Sequence, residues 1–387
     1  MAITGVGLVA GGRVGVDEVW DLLCTSGPGR IAAPDVDFAA LLGRRTADRT
    51  SLATKMALLA AREARDRSEV TDDGGDRTGV VLTPITLANH ITAAAIDYAT
   101  TGKRPAAQMA GGFSVGAAAA QVAEDLGAGG PCCAVEAGCS SSSMAILDAA
   151  RLVRAGDCDV AYAGGSDCQV NLENPESPDL MKIVFDAMRI RCSPEDSHPF
   201  DLERGGMFVA PGSAVVRIEA EATAREAGRP VVARLLGGAS IRGGKDFFAP
   251  EDDGDSLRRA IANACDNAGV DPDELRLVIA HGPGTKGSDL AESRAVEAVA
   301  GPGMPTTSVK GLLGHTTYAA GAVNVATACQ AIATGRIPPT AGFNTPDPEI
   351  SMDIVHGSAR DWEPGPVASL SLGLGGFNTC VIVAPAD

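Results

Sequence analysis

The sequence predicts an α/β protein built from two similar halves, and three observations carry that reading. Short apolar runs of strand length alternate with longer stretches whose apolar residues recur at helical spacing. The order of these segments repeats, so that the chain after Ala233 follows the same course as the chain after Ala2. A candidate reactive side chain, Cys139 in one half and His315 in the other, stands at the start of the third helix of each. The halves divide as 1–232, which carries Cys139, and 233–387, which carries His281 and His315.

Ala2 to Val6 reads as the first strand, followed by a Gly-rich loop and a helix near Val16–Leu23. A second helix from Ser51 to Arg67 puts Leu52, Met56, Leu59 and Ala60 on one face. Asp72-Asp73-Gly74-Gly75-Asp76 is a solvated loop before a strand at Thr78–Leu82. An Ala-rich helix is expected from Phe113 to Leu126. The strand Cys133–Val135, a helix opened by Cys139 and ending near Gly156, and the strand Val160–Ala163 complete a β–α–β pattern. Asn171 to Pro199, with several Pro, Glu and Asp, reads as an insertion or surface loop. In the second half Ala233–Ala239 plays the part of the first strand. The helix Asp255–Ala268, the strand Leu275–Ala280 and an Ala/Val-rich helix from His315 to about Gly335 follow.

Composition narrows the class of function. The chain has 387 residues, 45% hydrophobic and 21% charged, which suits a globular protein with a large core. Its formal charge of −17 argues against a nucleic-acid partner, which needs a basic footprint. The ten cysteines contain no Cys-x-x-Cys pair, so neither a zinc site nor a redox dithiol is expected, and no metal is assigned. Reduced thiols, the absence of a basic n-region at Met1–Gly7 and the absence of a run of about 20 apolar residues lead to the expectation of a cytoplasmic chain without membrane attachment.

Chemistry concentrates in three segments. In Val135-Glu136-Ala137-Gly138-Cys139-Ser140-Ser141 the cysteine sits between a strand and a helix, where free helical N–H groups favour a thiolate. His281-Gly282-Pro283-Gly284-Thr285 follows an apolar strand and leads to Asp289 and Glu292. Ser308-Val309-Lys310-Gly311-Leu312-Leu313-Gly314-His315 opens the third segment, which runs on to Gly321. A cysteine with two histidines can activate a thiol and hold a substrate carbonyl.

These segments resemble the active site of β-ketoacyl synthases of the thiolase superfamily, in the order and at the separations that family uses. Val160–Ser166, Pro199–Arg204 and Ser371-Leu372-Gly373-Leu374-Gly375-Gly376-Phe377-Asn378 extend the likeness through nearly the whole chain. The resemblance implies a thiolase-like five-layer αβαβα fold and a decarboxylative Claisen condensation. Cys139 would take an acyl group as a thioester, and His281 and His315 would hold the thioester oxygen of a malonyl extender. Lys310 would support that pair, with Glu292 the carboxylate near it. The backbone N–H groups of Cys139 and Leu374 would form the oxyanion hole. Thr285, Thr317, Leu374 and Phe377 would meet the substrate or its pantetheine arm. The resemblance brings no metal or redox cofactor, only substrates carried on the phosphopantetheine of an acyl carrier protein. It also implies a homodimer, or a heterodimer with a homologous chain.

The chain departs from the family pattern in places. Pro283 replaces a hydroxyl-bearing position, Arg204–Gly212 has lost an Asp and a Glu, and Leu374 stands where a gating Phe is usual. These changes point away from housekeeping fatty-acid synthesis and towards specialised, polyketide-type metabolism. A non-condensing acyltransferase on the same fold and a chain-length-setting partner subunit are the alternatives. A cysteine hydrolase leaves the second histidine unexplained. Blander readings apply elsewhere. Ser140–Ser143 read as helix-capping residues, Asp289 as a structural hydrogen-bonding partner, and His90, His198 and His356 carry no motif. Arg44, Arg45 and Arg49 read either as a solvated face or as a docking patch for an acidic carrier protein.

Overall fold

The first strand, β1 (Ala2–Ala10), is buried along its whole length and runs through the middle of the sheet. The computed structural model describes residues 1–25, 27, 29, 31–70, 74–85, 88–104, 114–170, 172 and 179–386. After β1 come β2 (Arg13–Val14), α1 (Val16–Leu23), α2 (Phe38–Leu42), α3 (Arg44–Ala47) and α4 (Leu52–Arg67). The first half continues with β3 (Thr78–Leu82), α5 (Ala88–Thr101), α6 (Ala117–Leu126), β4 (Cys132–Ala134) and α7 (Ser141–Ala155). It closes with β5 (Val160–Asp167), α8 (Leu180–Ala187), β6 (Gly212–Glu219) and α9 (Glu221–Glu226). The second half contains β7 (Ala233–Arg242), α10 (Asp255–Ala268), β8 (Leu277–Ile279), α11 (Lys286–Ala300), β9 (Pro305–Thr307), α12 (Lys310–Leu313) and α13 (Ala320–Thr334). It ends with β10 (Arg336–Ile337), β11 (Asp353–Ile354), β12 (Arg360–Asp361), β13 (Val367–Gly373) and β14 (Phe377–Ala384).

Among the described residues, twelve strands join in one sheet, in the order β11-β9-β8-β13-β14-β7-β1-β6-β5-β3-β4 with β2 on β1. Outward from the β1–β7 junction, one limb reads β1-β6-β5-β3-β4 and the other β7-β14-β13-β8-β9-β11. Each limb begins with two antiparallel pairings and ends with parallel ones, two in the first limb and three in the second. Helices α7 and α13 lie between the limbs: α13 packs on β13 and β6, and α7 on β5 and β14. The outer faces are covered by α4 and α6 on one side and by α10 and α11 on the other. The result is a five-layer αβαβα sandwich.

Local chemistry sets these layers. Ser51 caps α4, its hydroxyl accepting from the Thr54 N–H at 3.3 Å. The helix then lies directly on β1, because a Cβ at Gly7 would meet the Ala60 carbonyl at 1.9 Å. Helix α13 is buried from Ala320 to Ile332, as its Ala/Val composition requires of a helix with sheet on both sides.

The structure moves several boundaries. Helix α7 begins at Ser141, two residues after Cys139, and α13 at Ala320, five residues after His315; a 3₁₀ turn, Thr317–Ala319, fills the second gap. The described part of the helix expected from Phe113 begins at Ala117, and Phe113 itself lies outside the described residues. The stretch read as a surface loop from Asn171 to Pro199 contains α8, capped by Asp179; Asn171 and 173–178 lie outside the described residues. So do Asp72 and Asp73 of the solvated loop, whose remaining residues Gly74–Asp76 are exposed.

Candidate active site

Cys139 stands in a loop held shut by its own neighbours. Gly138 takes the left-handed φ of 55° that turns the chain. The Ser141 hydroxyl accepts from the Ala137 N–H at 2.8 Å and donates to the Gly138 carbonyl at 2.6 Å. The serine run ties the two halves of the chain together rather than capping α7, whose N-cap Ser140 makes no side-chain capping bond. Ser140 donates to the carbonyls of Ser371 and Phe377, Ser143 pairs with the Ser371 hydroxyl, and Ser142 accepts from the Ala322 N–H at the start of α13. The turn between β13 and β14 therefore rests on the cysteine loop, so closely that a Cβ at Gly373 would meet the Ala137 carbonyl at 2.4 Å.

His281 follows β8 in a loop whose backbone is gripped by Glu292 from α11. The carboxylate accepts from the N–H groups of His281 at 2.6 Å and of Gly282 at 2.7 Å. Gly282 takes φ 38°, and its carbonyl accepts from the Ser308 hydroxyl at 2.8 Å. Lys310 donates through Nζ to the His281 carbonyl. One turn further on, His315 presents its ring edge-on to His281, with centroids 5.2 Å apart. Its Nδ1 accepts from the Thr317 N–H at 3.1 Å, which leaves the ring proton of the neutral form on Nε2. Thr317, at φ 50°, donates in turn to Asp167 at 2.5 Å.

Burial dominates the electrostatics. Both imidazoles are held well below their ordinary range by desolvation, with Lys310 adding to the effect, so both rings are neutral near pH 7. Burial lowers Lys310 to about 8 and raises Glu292, its charge partner, to about 7. The expected helix-start activation of Cys139 does not hold. Part of the residue reaches the cavity, but its thiol is pushed up to about 11 by desolvation, which outweighs the nearby Lys310 cation. The Leu374 and Cys139 N–H groups act on the thiol in the opposite, lowering direction, as hydrogen bonds to sulfur do.

A cavity of about 840 Å³ collects these side chains. Cys139, His281, His315, Thr285, Thr317, Leu374 and Phe377 all line it. Lys310 and Glu292 are buried behind it and do not line it. Arg44, Arg45 and Arg49 are exposed on and after α3 and do not line it either; Arg44 lies 3.9 Å from Asp48. Asp289 accepts from the Phe200 and Gly284 N–H groups at 2.7 and 3.1 Å, a structural part. Asp167 escaped the sequence reading, and Ser308 stood at the head of the third segment without an assigned part. Asp167 closes the Ala-Gly-Gly-Ser strand end, the one local signal available for it.

Residues 35–224 match the β-ketoacyl synthase N-terminal domain family, and residues 232–344 match the C-terminal domain of the same enzymes. The chain is 30% identical over 421 residues to the tetracenomycin polyketide synthase ketoacyl synthase alpha subunit of Streptomyces glaucescens, covering 99% of this chain and 96% of that one. It is 28% identical to 3-oxoacyl-[acyl-carrier-protein] synthase 2 of Staphylococcus aureus, over 88% of this chain and 83% of the other. Among solved structures, the ishigamide ketosynthase/chain length factor superimposes with a TM-score of 0.90 at 26% identity, covering 100% of this chain and 99% of that one. A type II polyketide acyl carrier protein in complex with its ketosynthase bound to the hexaketide gives 0.87 at 25%, with the same coverage.

Proposed function

The chain belongs to the β-ketoacyl synthase family, and from that premise we propose that Cys139 is the acylated nucleophile and that His281 and His315 bind the extender. The protein is a β-ketoacyl synthase of the type II polyketide kind, an acyltransferase that forms carbon–carbon bonds. The observation that carries the assignment of roles is the meeting of Cys139, His281 and His315 in one cavity, with the Leu374 and Cys139 N–H groups acting on the sulfur.

In the first half-reaction the sulfur of Cys139 attacks an acyl thioester. The carrier thiolate leaves and, in net, takes the cysteine proton. In the second, a malonyl thioester loses carbon dioxide, and the electron pair of the broken bond forms an enolate. Two neutral imidazoles suit this step, because a neutral Nε2–H donates to the enolate oxygen without the desolvation burden of a buried cation. The Thr317 N–H leaves His315 in that tautomer. The enolate carbon attacks acyl-Cys139, and the tetrahedral oxyanion lies between the N–H groups of Cys139 and Leu374. Collapse expels the thiolate, which reclaims a proton readily because burial raises its pKa to about 11. The pair that leaves with decarboxylation forms the new bond, so the sequence balances without an oxidant or reductant.

Lys310 and Glu292 hold the His281 backbone in this reading and do not touch the reacting atoms. Thr285, Thr317, Leu374 and Phe377 border the path of the phosphopantetheine arm. The substrates are delivered by an acyl carrier protein, for which exposed Arg44, Arg45 and Arg49 offer a basic docking patch. The matching strand orders of the two limbs support reading 1–232 and 233–387 as duplicated halves. Assembly with a homologous chain, as in the ketosynthase/chain length factor neighbour, accompanies this function, a homodimer being the other arrangement.

The test is incubation of the chain and of Cys139→Ala with acyl and malonyl carrier thioesters, read by intact mass and carbon dioxide release. Acyl-Cys139 and a lengthened product in the unmodified chain alone support the assignment. Acyl-Cys139 without carbon dioxide release would indicate a non-condensing acyltransferase. Full product formation by Cys139→Ala mixed with a second synthase would indicate a chain-length-setting subunit.

A further inference from the structure

In Ala322-Val323-Asn324-Val325-Ala326, on α13, a fully buried asparagine stands between apolar neighbours. A carboxamide in that setting is costly unless its donors are used. Both are. Nδ2 of Asn324 donates to the Ala280 carbonyl and to the Leu370 carbonyl, each at 3.0 Å. Because both neighbours are carbonyl oxygens, it is the nitrogen end of the amide that faces them.

The two acceptors lie at a fork. β8 and β13 run parallel and in register as far as Ile279 and Ser369, where their pairing ends. One residue further on, Ala280 leads directly to His281, and Leu370 leads within four residues to Leu374. Asn324 itself belongs to the helix that the His315 turn leads into. One side chain thus fastens the strand end before His281 to the strand before the Leu374 turn and to the helix behind His315. Glu292 and Lys310 hold His281 from α11 and α12, while Ser140 and Ser143 hold β13 from the cysteine side.

Resting on the assignment of His281 and His315 as the extender-binding pair, we infer that Asn324 is a positioning residue for decarboxylation, which sets the spacing of the His281 ring against that of His315. The ring centroids lie 5.2 Å apart, and Asn324 does not line the cavity, so it acts through the strand end and not on the substrate. The two imidazoles come from separate loops. Both can donate to one extender oxygen only while their nitrogens converge on one point. Without the amide, two buried carbonyls lose a donor and the end of β8 loses its tie to α13, which lets the rings drift apart. Loading of Cys139 draws instead on the Leu374 turn, whose strand keeps its ties to Ser140 and Ser143.

The experiment compares the unmodified full chain with Asn324→Leu and Asn324→Asp by two rates. One is loading of Cys139 from an octanoyl carrier thioester, read by intact mass. The other is carbon dioxide release from a malonyl carrier thioester over a range of concentrations. Asn324→Leu fills a similar space without a donor. Its kcat for carbon dioxide release is expected to fall about tenfold, with KM and the loading rate each within about threefold of the unmodified chain. Asn324→Asp keeps the shape and, held neutral by burial, offers one donor in place of two. Its kcat should lie between the two, at least about threefold below the unmodified chain, and it decides the matter where the leucine variant does not fold. Equal losses in loading and decarboxylation, a change confined to KM, or an unchanged kcat in the folded variants each overturns the inference. His281→Ala in the same assay tests the assignment beneath it. Retained carbon dioxide release there overturns both, whereas its loss beside an unaffected Asn324→Leu overturns the inference alone.

Discussion

The Thr317 N–H donates to Nδ1 of His315 at 3.1 Å, while the Thr317 hydroxyl donates to Asp167 at 2.5 Å. A threonine at φ 50° is strained backbone for a β-branched residue, and the buried carboxylate holds it there. Thr317→Val keeps the N–H and the branching but loses the bond to Asp167. Malonyl decarboxylation is expected to fall about tenfold, while loading of Cys139 changes little. Equal losses in both half-reactions would mean that Thr317 shapes the cavity rather than positioning His315.

The raised thiol pKa of Cys139 makes a prediction about pH. An acid shifted up to about 11 stays protonated through neutral pH. The rate of iodoacetamide alkylation at Cys139 should therefore climb steadily from about pH 7 to pH 10 with no plateau, since only the thiolate reacts. Lys310, lowered to about 8, loses its proton within that range and removes one stabiliser of the thiolate, which flattens the climb without reversing it. A plateau below pH 8 would show a cysteine activated as a thiolate in the free enzyme. Alkylated Cys139 is read by peptide mass.

Glu292 accepts from two backbone N–H groups and faces the Lys310 charge, all of them buried. Glu292→Ala strands both N–H groups and removes the charge partner, so a loss of roughly 2–5 kcal/mol is expected from the urea midpoint. Glu292→Gln retains one acceptor oxygen and should recover part of that loss. Equal destabilisation by both variants would place the whole effect in the charge.

Much of the fold was legible because its signals are local. Val16–Leu23, Thr78–Leu82 and Asp255–Ala268 were bounded correctly, the last by an apolar stripe ending at Gly269 in the left-handed region. Helix α8 was missed because it is only eight residues long and lies in a stretch whose several Pro, Glu and Asp read as a surface loop. The starts of α7 and α13 were read early because Gly138 turns the chain just before Cys139 and Thr317 turns it just after His315, so helix begins only beyond each reactive residue. Asp167 could not be assigned a part from sequence, since its partner lies 150 positions away.

Gly321 marks the contact between the two central helices. A Cβ there would lie 2.1 Å from the Ser143 hydroxyl and 2.8 Å from the Ser143 nitrogen. Gly321→Ala must push α13 away from α7, at an expected loss of about 1–3 kcal/mol in thermal unfolding. Adding Ser143→Ala removes the hydroxyl clash but leaves the backbone one, so the double variant should regain only part of the stability. Complete recovery would mean that the side chain alone sets the spacing.

Leu374 has two separable parts in the proposed reaction. Its N–H acts on the Cys139 sulfur, and its side chain lines the cavity in a turn where Gly375 and Gly376 take φ of 89° and 81°. Leu374→Phe leaves the N–H in place and fills more of the cavity beside the nucleophile. Loading of octanoyl from a carrier thioester should drop about tenfold, because overpacking a fitted apolar space costs about as much as leaving it empty. Loading of butyryl should stay within about threefold of the unmodified chain, since a short chain stops before the added ring. Intact-mass rates for acyl-Cys139 separate the two parts: if butyryl loading falls as far as octanoyl, the larger side chain has displaced the backbone N–H, and Leu374 governs the oxyanion rather than the length of the chain admitted.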